Sequence, residues 1–171
     1  MKKILTLFAV VGLIAFSSCE GPEGPPGQDG LIAEVFEVTN VSFTNANDYS
    51  TLVDLNPAIF NSDVILLYRK TVASNGENVW KLIPETYYFD DGTLNFAYNY
   101  NFTPNDISIY MDGYDLGGVT SNYRLNQTFR VVIVPGYFSN TAKSVNKEDY
   151  SDYNAVIKKY NIDDSNVKKL N

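Results

Sequence analysis

The chain has no histidine and only one cysteine among its 171 residues. The first absence removes the commonest general base at neutral pH, the usual catalytic triad and the commonest zinc ligand. The second excludes an intramolecular disulfide, so burial of apolar surface must hold the fold together. Basic residues are also scarce, with 13 Lys and Arg against 20 Asp and Glu, which argues against nucleic acid as a partner. Together these absences predict a protein that is not an enzyme.

Long hydrophobic runs are missing too, apart from one short run near the N-terminus. Two lysines precede an apolar stretch over residues 5–16, and two serines separate that stretch from Cys19. The stretch is too short to span a bilayer, which takes roughly 20 apolar residues, so residues 1–18 are predicted to be a lipoprotein signal peptide. Cleavage before Cys19 would leave covalent lipid on its sulfur and a stable membrane anchor. The alternative is a secreted protein with a free thiol.

Residues 19–30, which follow the signal, comprise Cys19 and a segment rich in glycine and proline. Glycine recurs at every third position, as in the Gly-X-Y rule of collagen, but the triplets are too few to offset the ordering of three chains. We therefore predict a polyproline II tether, which extends about 3.1 Å per residue, and no collagen-type trimer.

Residues 31–171 have the patterning of a single β domain. Short runs rich in β-branched and aromatic residues alternate with turn signals and predict seven or eight strands. The clearest run is a stripe of alternating apolar residues: Leu94, Phe96, Tyr98, Tyr100 and Phe102. An Asp-Gly turn precedes this stripe, so a hairpin is predicted over residues 86–102. A second apolar run, residues 64–68, predicts a strand that is covered on both faces.

One helix is predicted over residues 147–160, where apolar side chains share a face and Asn146 can cap the start. Ile162, Val167 and Leu170 indicate that the tail packs on the domain as a last short strand. Many short strands with one late helix predict an antiparallel β-sandwich of immunoglobulin-like type. A small β-barrel is the alternative.

Two aspartates are candidate metal ligands. Asp112 and Asp115 flank a glycine in a predicted loop, and clustered carboxylates beside glycine are typical of calcium loops. The full spacing of such a loop is absent, and ordinary turn chemistry is the favoured interpretation. Apart from this possible calcium ion and the covalent lipid, no cofactor is predicted.

Three tyrosines are candidate contacts for a ligand or partner. Tyr114, Tyr123 and Tyr137 lie beside glycine or asparagine in predicted loops, where their rings are expected to be exposed. On a β scaffold such rings can anchor a protein interface or form a platform for a glycan. Tyr98 and Tyr100 belong to the alternating stripe and are predicted to lie in the core.

The order of these features resembles the small collagen-like lipoproteins of Bacteroidota envelopes. The likeness rests on the signal that ends at Cys19, on the acidic Gly-Pro repeat after it, and on the β segment over residues 126–135. Glu20 and Glu23 are similar to the acidic export tags of such lipoproteins. The resemblance implies an outer-membrane, lipid-anchored protein that faces the cell surface, has no assigned activity and offers no catalytic residues to carry over.

Three functions are open at this point. The favoured one is a non-enzymatic interaction module that serves as an accessory subunit of an outer-membrane protein complex. The alternative is a cell-surface glycan- or nutrient-binding lipoprotein. A hydrolase that uses carboxylates or a bound metal is the least favoured, because no carboxylate pair is marked by more than proximity in a turn.

Overall fold

The computed structural model describes residues 33–136 and 150–171, which form nine strands and two short helices. The strands are β1 (Glu34–Val41), β2 (Ser50–Asp54), β3 (Val64–Val72), β4 (Asn78–Leu82), β5 (Glu85–Tyr88), β6 (Leu94–Phe102), β7 (Asp106–Gly113), β8 (Gln127–Val134) and β9 (Lys168–Leu170). The helices are α1 (Ser121–Arg124) and α2 (Tyr153–Lys159). No helix in these two described ranges is long and apolar enough to cross a membrane.

The strands form two sheets. Sheet A has the order β4-β3-β8-β1-β9 and sheet B the order β2-β7-β6-β5. Neighbouring strands are antiparallel except for β9, which runs parallel to β1 at the edge of sheet A. The predicted β-sandwich with one C-terminal helix is confirmed, and so is the predicted last strand. The alternative of a barrel is wrong, because the sheets do not close on each other.

The predicted hairpin is confirmed as β5 and β6. Gly92 takes a φ of 82° in the turn, and the Asp91 carboxylate accepts a hydrogen bond from the Thr93 amide at 2.9 Å. Within β6, Phe96 and Tyr98 are buried and Tyr100 is half-buried. The two outermost members of the stripe are exposed because β6 extends past the core at both ends.

Sheet A is buried on both faces, as the apolar run in β3 predicts. Leu67 and Val131 pack against sheet B, whereas Leu66 and Val132 pack in a second core under α2. Alternation along a strand sends neighbouring side chains to opposite faces, so an unbroken apolar run requires cover on both sides. The domain therefore has a third layer, made of α2 and the chain around it.

Helix α2 is shorter than predicted. It begins at Tyr153, because the Asp152 carboxylate accepts hydrogen bonds from the amides of Asn154 and Ala155 and so caps the first turn. Asn146, the predicted cap, lies outside the described residues.

A largely buried charge, that of Arg130, lies between sheet A and α2. The Arg130 side chain is 12% exposed, donates to Glu37 and to the Tyr153 hydroxyl, and stacks 4.0 Å from the Trp80 ring centroid. Burial and the hydrogen bond to Asp164 raise the pKa of Tyr153, so its hydroxyl stays protonated and donates to that carboxylate at 2.7 Å. These contacts fasten the C-terminal segment to the sheet.

The register defines two ends of the sandwich. At the N-terminal end, the start of β1 lies beside the end of β8 and the start of β3. The Tyr100 hydroxyl donates to the Ile65 carbonyl at 2.7 Å and so places the last part of β6 at this same end. The other end, called the distal end below, therefore holds the end of β3, the start of β8 and the β5–β6 turn.

Substitution of two adjacent valines tests the double burial of β8. Val131 and Val132 are both 0% exposed, one on each face, so Val131→Ala and Val132→Ala should each lower the free energy of unfolding by about 1–3 kcal/mol. Urea denaturation measures both. A sheet covered on one face only would lose stability with Val131→Ala and tolerate Val132→Ala.

Candidate functional site

A cleft of about 780 Å³ opens at the distal end. On one side it is lined by β3, Lys81 and Tyr87, and on the other by Asn122, Tyr123 and the first residues of β8. It is the candidate functional site because it combines a buried charge with aromatic and amide side chains at the surface.

The cleft exists because two strands diverge. Strand β3 pairs with β8 only as far as Arg69 and Phe129, whereas its pairing with β4 continues to Val72 and Asn78. The last three residues of β3 therefore have a partner strand on one side only. The gap on the other side is the cleft.

Arg69 forms the floor of the cleft and is only 4% exposed. Its Nε donates to Glu85 at 2.8 Å, Nη1 to the Gln127 side-chain oxygen at 3.2 Å and Nη2 to the Tyr87 hydroxyl at 2.7 Å. The guanidinium carbon also lies 4.6 Å from the Tyr98 ring centroid. A buried guanidinium needs such a set of partners to offset its desolvation.

Both members of the central ion pair are charged at neutral pH. Burial alone would raise the pKa of Glu85, but hydrogen bonds from Arg69 and Tyr87 outweigh it and hold the pKa below its usual value. Burial alone would lower the pKa of Arg69, but the hydrogen bond and charge of Glu85 raise it. Burial and the bond to Glu85 raise the pKa of Tyr87, so its hydroxyl stays protonated and donates to the carboxylate at 2.7 Å.

Gln127 connects this floor to the opposite wall. Its side-chain nitrogen donates to the carbonyls of Asn122 and Leu125 at 2.9 and 2.8 Å, which holds the α1 turn against the start of β8. The Tyr123 ring then packs 5.0 Å from the Tyr87 ring, centroid to centroid. The wall is therefore held in place by the same polar network as the floor.

A second surface feature comprises residues of the β5–β6 hairpin and the residue after the neighbouring strand β7. Tyr88, Phe89 and Leu94 are 65%, 53% and 45% exposed, and Tyr88 pairs with Leu94 across the hairpin. Tyr114 is fully exposed directly after Gly113, which pairs with Phe96 on β6. We call these four side chains the hairpin patch.

The structure places the predicted contact tyrosines differently from one another. Tyr114 is exposed as predicted and belongs to the hairpin patch. Tyr123 lies in helix α1 instead of a loop and is half-buried, with its ring against Tyr87 and Phe96, yet it lines the cleft. Tyr137 lies outside the described residues, as do Cys19 and the proposed export tag at Glu20 and Glu23.

Asp112 and Asp115 have protein partners. Asp112 accepts a hydrogen bond from the Asn99 side chain at 2.6 Å, and Asp115 accepts one from the Gly118 amide at 3.1 Å. Over residues 33–136 and 150–171 no group of three or more Cys, Asp or Glu side chains converges as a metal site would require. Calcium binding at these aspartates stays a prediction.

Of the residues that line the cleft, only Tyr123 was identified from sequence as a candidate contact, and Arg69 and Gln127, which build its floor and wall, were not. A signal was available for Arg69, because it ends an apolar run, and arginine is almost never fully buried without a partner. The hairpin patch also had a signal in residues 87–89, where three consecutive aromatic side chains cannot all point to one face of a strand.

No protein-family model matches the chain, and neither a curated protein nor a solved structure is significantly similar to it. The predicted anchor, the cleft and the hairpin patch are therefore the features that bear on its function.

Acid titration tests the network under the cleft. Because the pKa of Glu85 is lowered by folding, its contribution to stability is present above the ordinary glutamate pKa of about 4.3 and is lost as pH falls through the folded-state value. Glu85→Gln should lower the free energy of unfolding by about 1.5–3 kcal/mol at neutral pH and by much less in acid. Urea denaturation across pH measures this difference.

The control is Glu34→Gln, at an exposed carboxylate at the start of β1. It should change stability little at either pH. A deficit in Glu85→Gln that is as large in acid as at neutral pH would contradict the ion-pair account.

Proposed function

We propose that this protein is a non-enzymatic lipoprotein of the outer membrane that acts as an interaction module, as an accessory subunit of an outer-membrane protein complex at the cell surface. The observation that carries the proposal is the hairpin patch. Large apolar side chains grouped on the surface are typical of protein interaction sites.

The composition of the hairpin patch supports protein docking. Its four members include three aromatic rings, and aromatic residues are the commonest anchors of protein interfaces. Asp90 and Asp91 lie in the same turn and are exposed, so a polar rim borders the apolar surface. Two of the rings, Tyr88 and Phe89, belong to a hairpin whose inner face is buried, because Tyr87 stacks on Phe96 at 4.5 Å. A partner would therefore meet a surface with little conformational entropy to lose.

The position of the hairpin patch also suits an anchored protein. The described chain begins at Ala33, at the N-terminal end of the sandwich, and a lipid on Cys19 would hold the domain through this end. The β5–β6 turn lies at the distal end. Attachment through the first end leaves the patch available to a neighbouring membrane protein.

A second candidate function is capture of a glycan or nutrient at the cell surface. The specific observation in its favour is the cleft, where the half-buried Tyr123 ring lies beside the exposed amides Asn122 and Asn126. Aromatic and amide side chains around one concave site are suited to a polar ligand of moderate size.

Affinity purification tests the docking proposal. The tagged chain, gently cross-linked in native membranes, should bring down an outer-membrane protein in comparable amount. The double variant Tyr88→Ser with Phe89→Ser should reduce that recovery about tenfold or more, since loss of an aromatic anchor costs well over 1 kcal/mol of binding. Mass spectrometry quantifies the partner.

The matched control for that experiment is Phe60→Ser. Phe60 is 62% exposed in the loop before β3, at the N-terminal end, and has no place in the hairpin patch. The Phe60→Ser variant should bring down as much of the partner as the unaltered chain does. Equal loss in both variants, or recovery of the chain alone, would count against docking through the patch.

The anchor has its own test. Cells fed an alkyne-tagged fatty acid should label this protein, and Cys19→Ser should abolish the label because the chain has no other thiol. Gel fluorescence after click reaction measures the label. Persistent labelling of the serine variant would show that the lipid is not attached at Cys19.

A further inference from the structure

We infer that the cleft binds a sugar acid, a carbohydrate that carries a carboxylate; this inference rests on the second candidate function and names its ligand class. The argument combines the unused donors of a buried arginine, the local charge and the amides at the rim.

The arginine on the floor has hydrogen-bond donors to spare. A guanidinium carries five N–H groups, and Arg69 uses three of them on the described residues Glu85, Gln127 and Tyr87. The two that remain sit on Nη1 and Nη2, one on each nitrogen. Guanidinium donors pair well with carboxylate oxygens, and Arg69 lines the cleft.

The cleft is lined by positive charges, whereas the protein as a whole is acidic. The whole chain has a formal charge of −7, but three cations line this site, Arg69, Lys70 and Lys81. Glu85 pairs with two of them. The Lys81 side chain is 50% exposed, so its ammonium can meet a ligand as well as Glu85. A positive cleft on an acidic surface selects anions, with an affinity that falls as salt rises.

The rim favours a carbohydrate over other anions. Side-chain amides such as Asn122 and Asn126 both donate and accept, and can therefore bond neighbouring hydroxyl groups. The cleft volume of about 780 Å³ lies within the range of small-molecule sites and can hold a disaccharide. An acidic peptide would also supply a carboxylate and could pair with the free edge of β3, so it is the competing ligand in the test below.

Isothermal titration of the full chain, as cells produce it, tests the inference with three probes. Digalacturonate is the acidic disaccharide, galactobiose its neutral counterpart, and a tetra-aspartate peptide the competing anion. Digalacturonate should bind at least about tenfold tighter than either of the others. Its affinity should fall severalfold when sodium chloride is raised to about 0.5 M.

Charge insertion at the rim localises the binding. Asn122→Asp and Asn126→Asp are nearly isosteric and place a carboxylate next to the ligand, so each should weaken digalacturonate binding about tenfold or more. Asn101→Asp is the matched control, because Asn101 is an exposed β6 residue towards the N-terminal end and makes the same change of charge. It should leave the affinity unchanged.

The outcomes separate the ligand class from the broader function. If galactobiose bound more tightly than digalacturonate, the ligand would not be a sugar acid, but glycan capture would still be supported. If the peptide bound most tightly, the cleft would be a peptide-binding site. Failure of both sugars at about 10 mM would overturn this inference, whereas glycan capture would be overturned only if a broad panel of other glycans also failed to bind. Equal weakening by Asn101→Asp would overturn the cleft as the site. None of these results bears on docking through the hairpin patch.

Discussion

Two arginines on neighbouring central strands of sheet A must be buried as charges, and the rest of the structure is arranged to satisfy them. Arg69 on β3 pairs with Phe129 on β8, and both side chains point into the sandwich. Arg130, the next residue of β8, points to the opposite face, under α2. A guanidinium out of water is costly unless carboxylates and hydroxyls surround it. Each arginine therefore collects partners from several segments. Those contacts join the layers of the domain.

The Arg69 network also shapes the surface at the distal end. Gln127 accepts from the guanidinium and donates to the carbonyls around α1, which fixes one wall of the cleft. Glu85 and Tyr87 hold β5 against the core, and Tyr88 and Leu94 of the hairpin patch pair on the same hairpin. The charge buried inside the domain and the two candidate binding surfaces thus depend on one set of hydrogen bonds.

The two ends of the sandwich differ in how the central strands of sheet A pair. The described chain begins at the N-terminal end, where β3 and β8 pair up to Val64 and Val134, and the same strands diverge at the distal end. Where β3 and β8 diverge, they no longer form backbone hydrogen bonds with each other. The Arg69 network lies at the floor of the gap between them. Under the proposed function, both candidate binding surfaces would lie at the end opposite to the one at which a lipid tether enters the domain.

Local patterns were sufficient to predict the strands, the β5–β6 hairpin, the two-sided burial of β3 and the last strand β9. They failed where the answer depends on distant residues. The start of α2 depends on how Asp152 caps it. The half-burial of Tyr123 in α1 depends on Tyr87 and Phe96, which lie on strands β5 and β6. The cleft was missed for the same reason, since Arg69 and Gln127 are separated by 58 positions.

The sequence by itself determined which segments become strands and which faces are apolar, because side-chain alternation and turn chemistry act over a few residues. Only the tertiary structure decided the partners of Arg69 and Arg130, the divergence of β3 from β8 and the grouping of the hairpin patch. The physical reason is that the desolvation of a buried charge is offset by the groups that the folded chain brings within hydrogen-bond distance. Those groups are distant in sequence, so no local pattern identifies them.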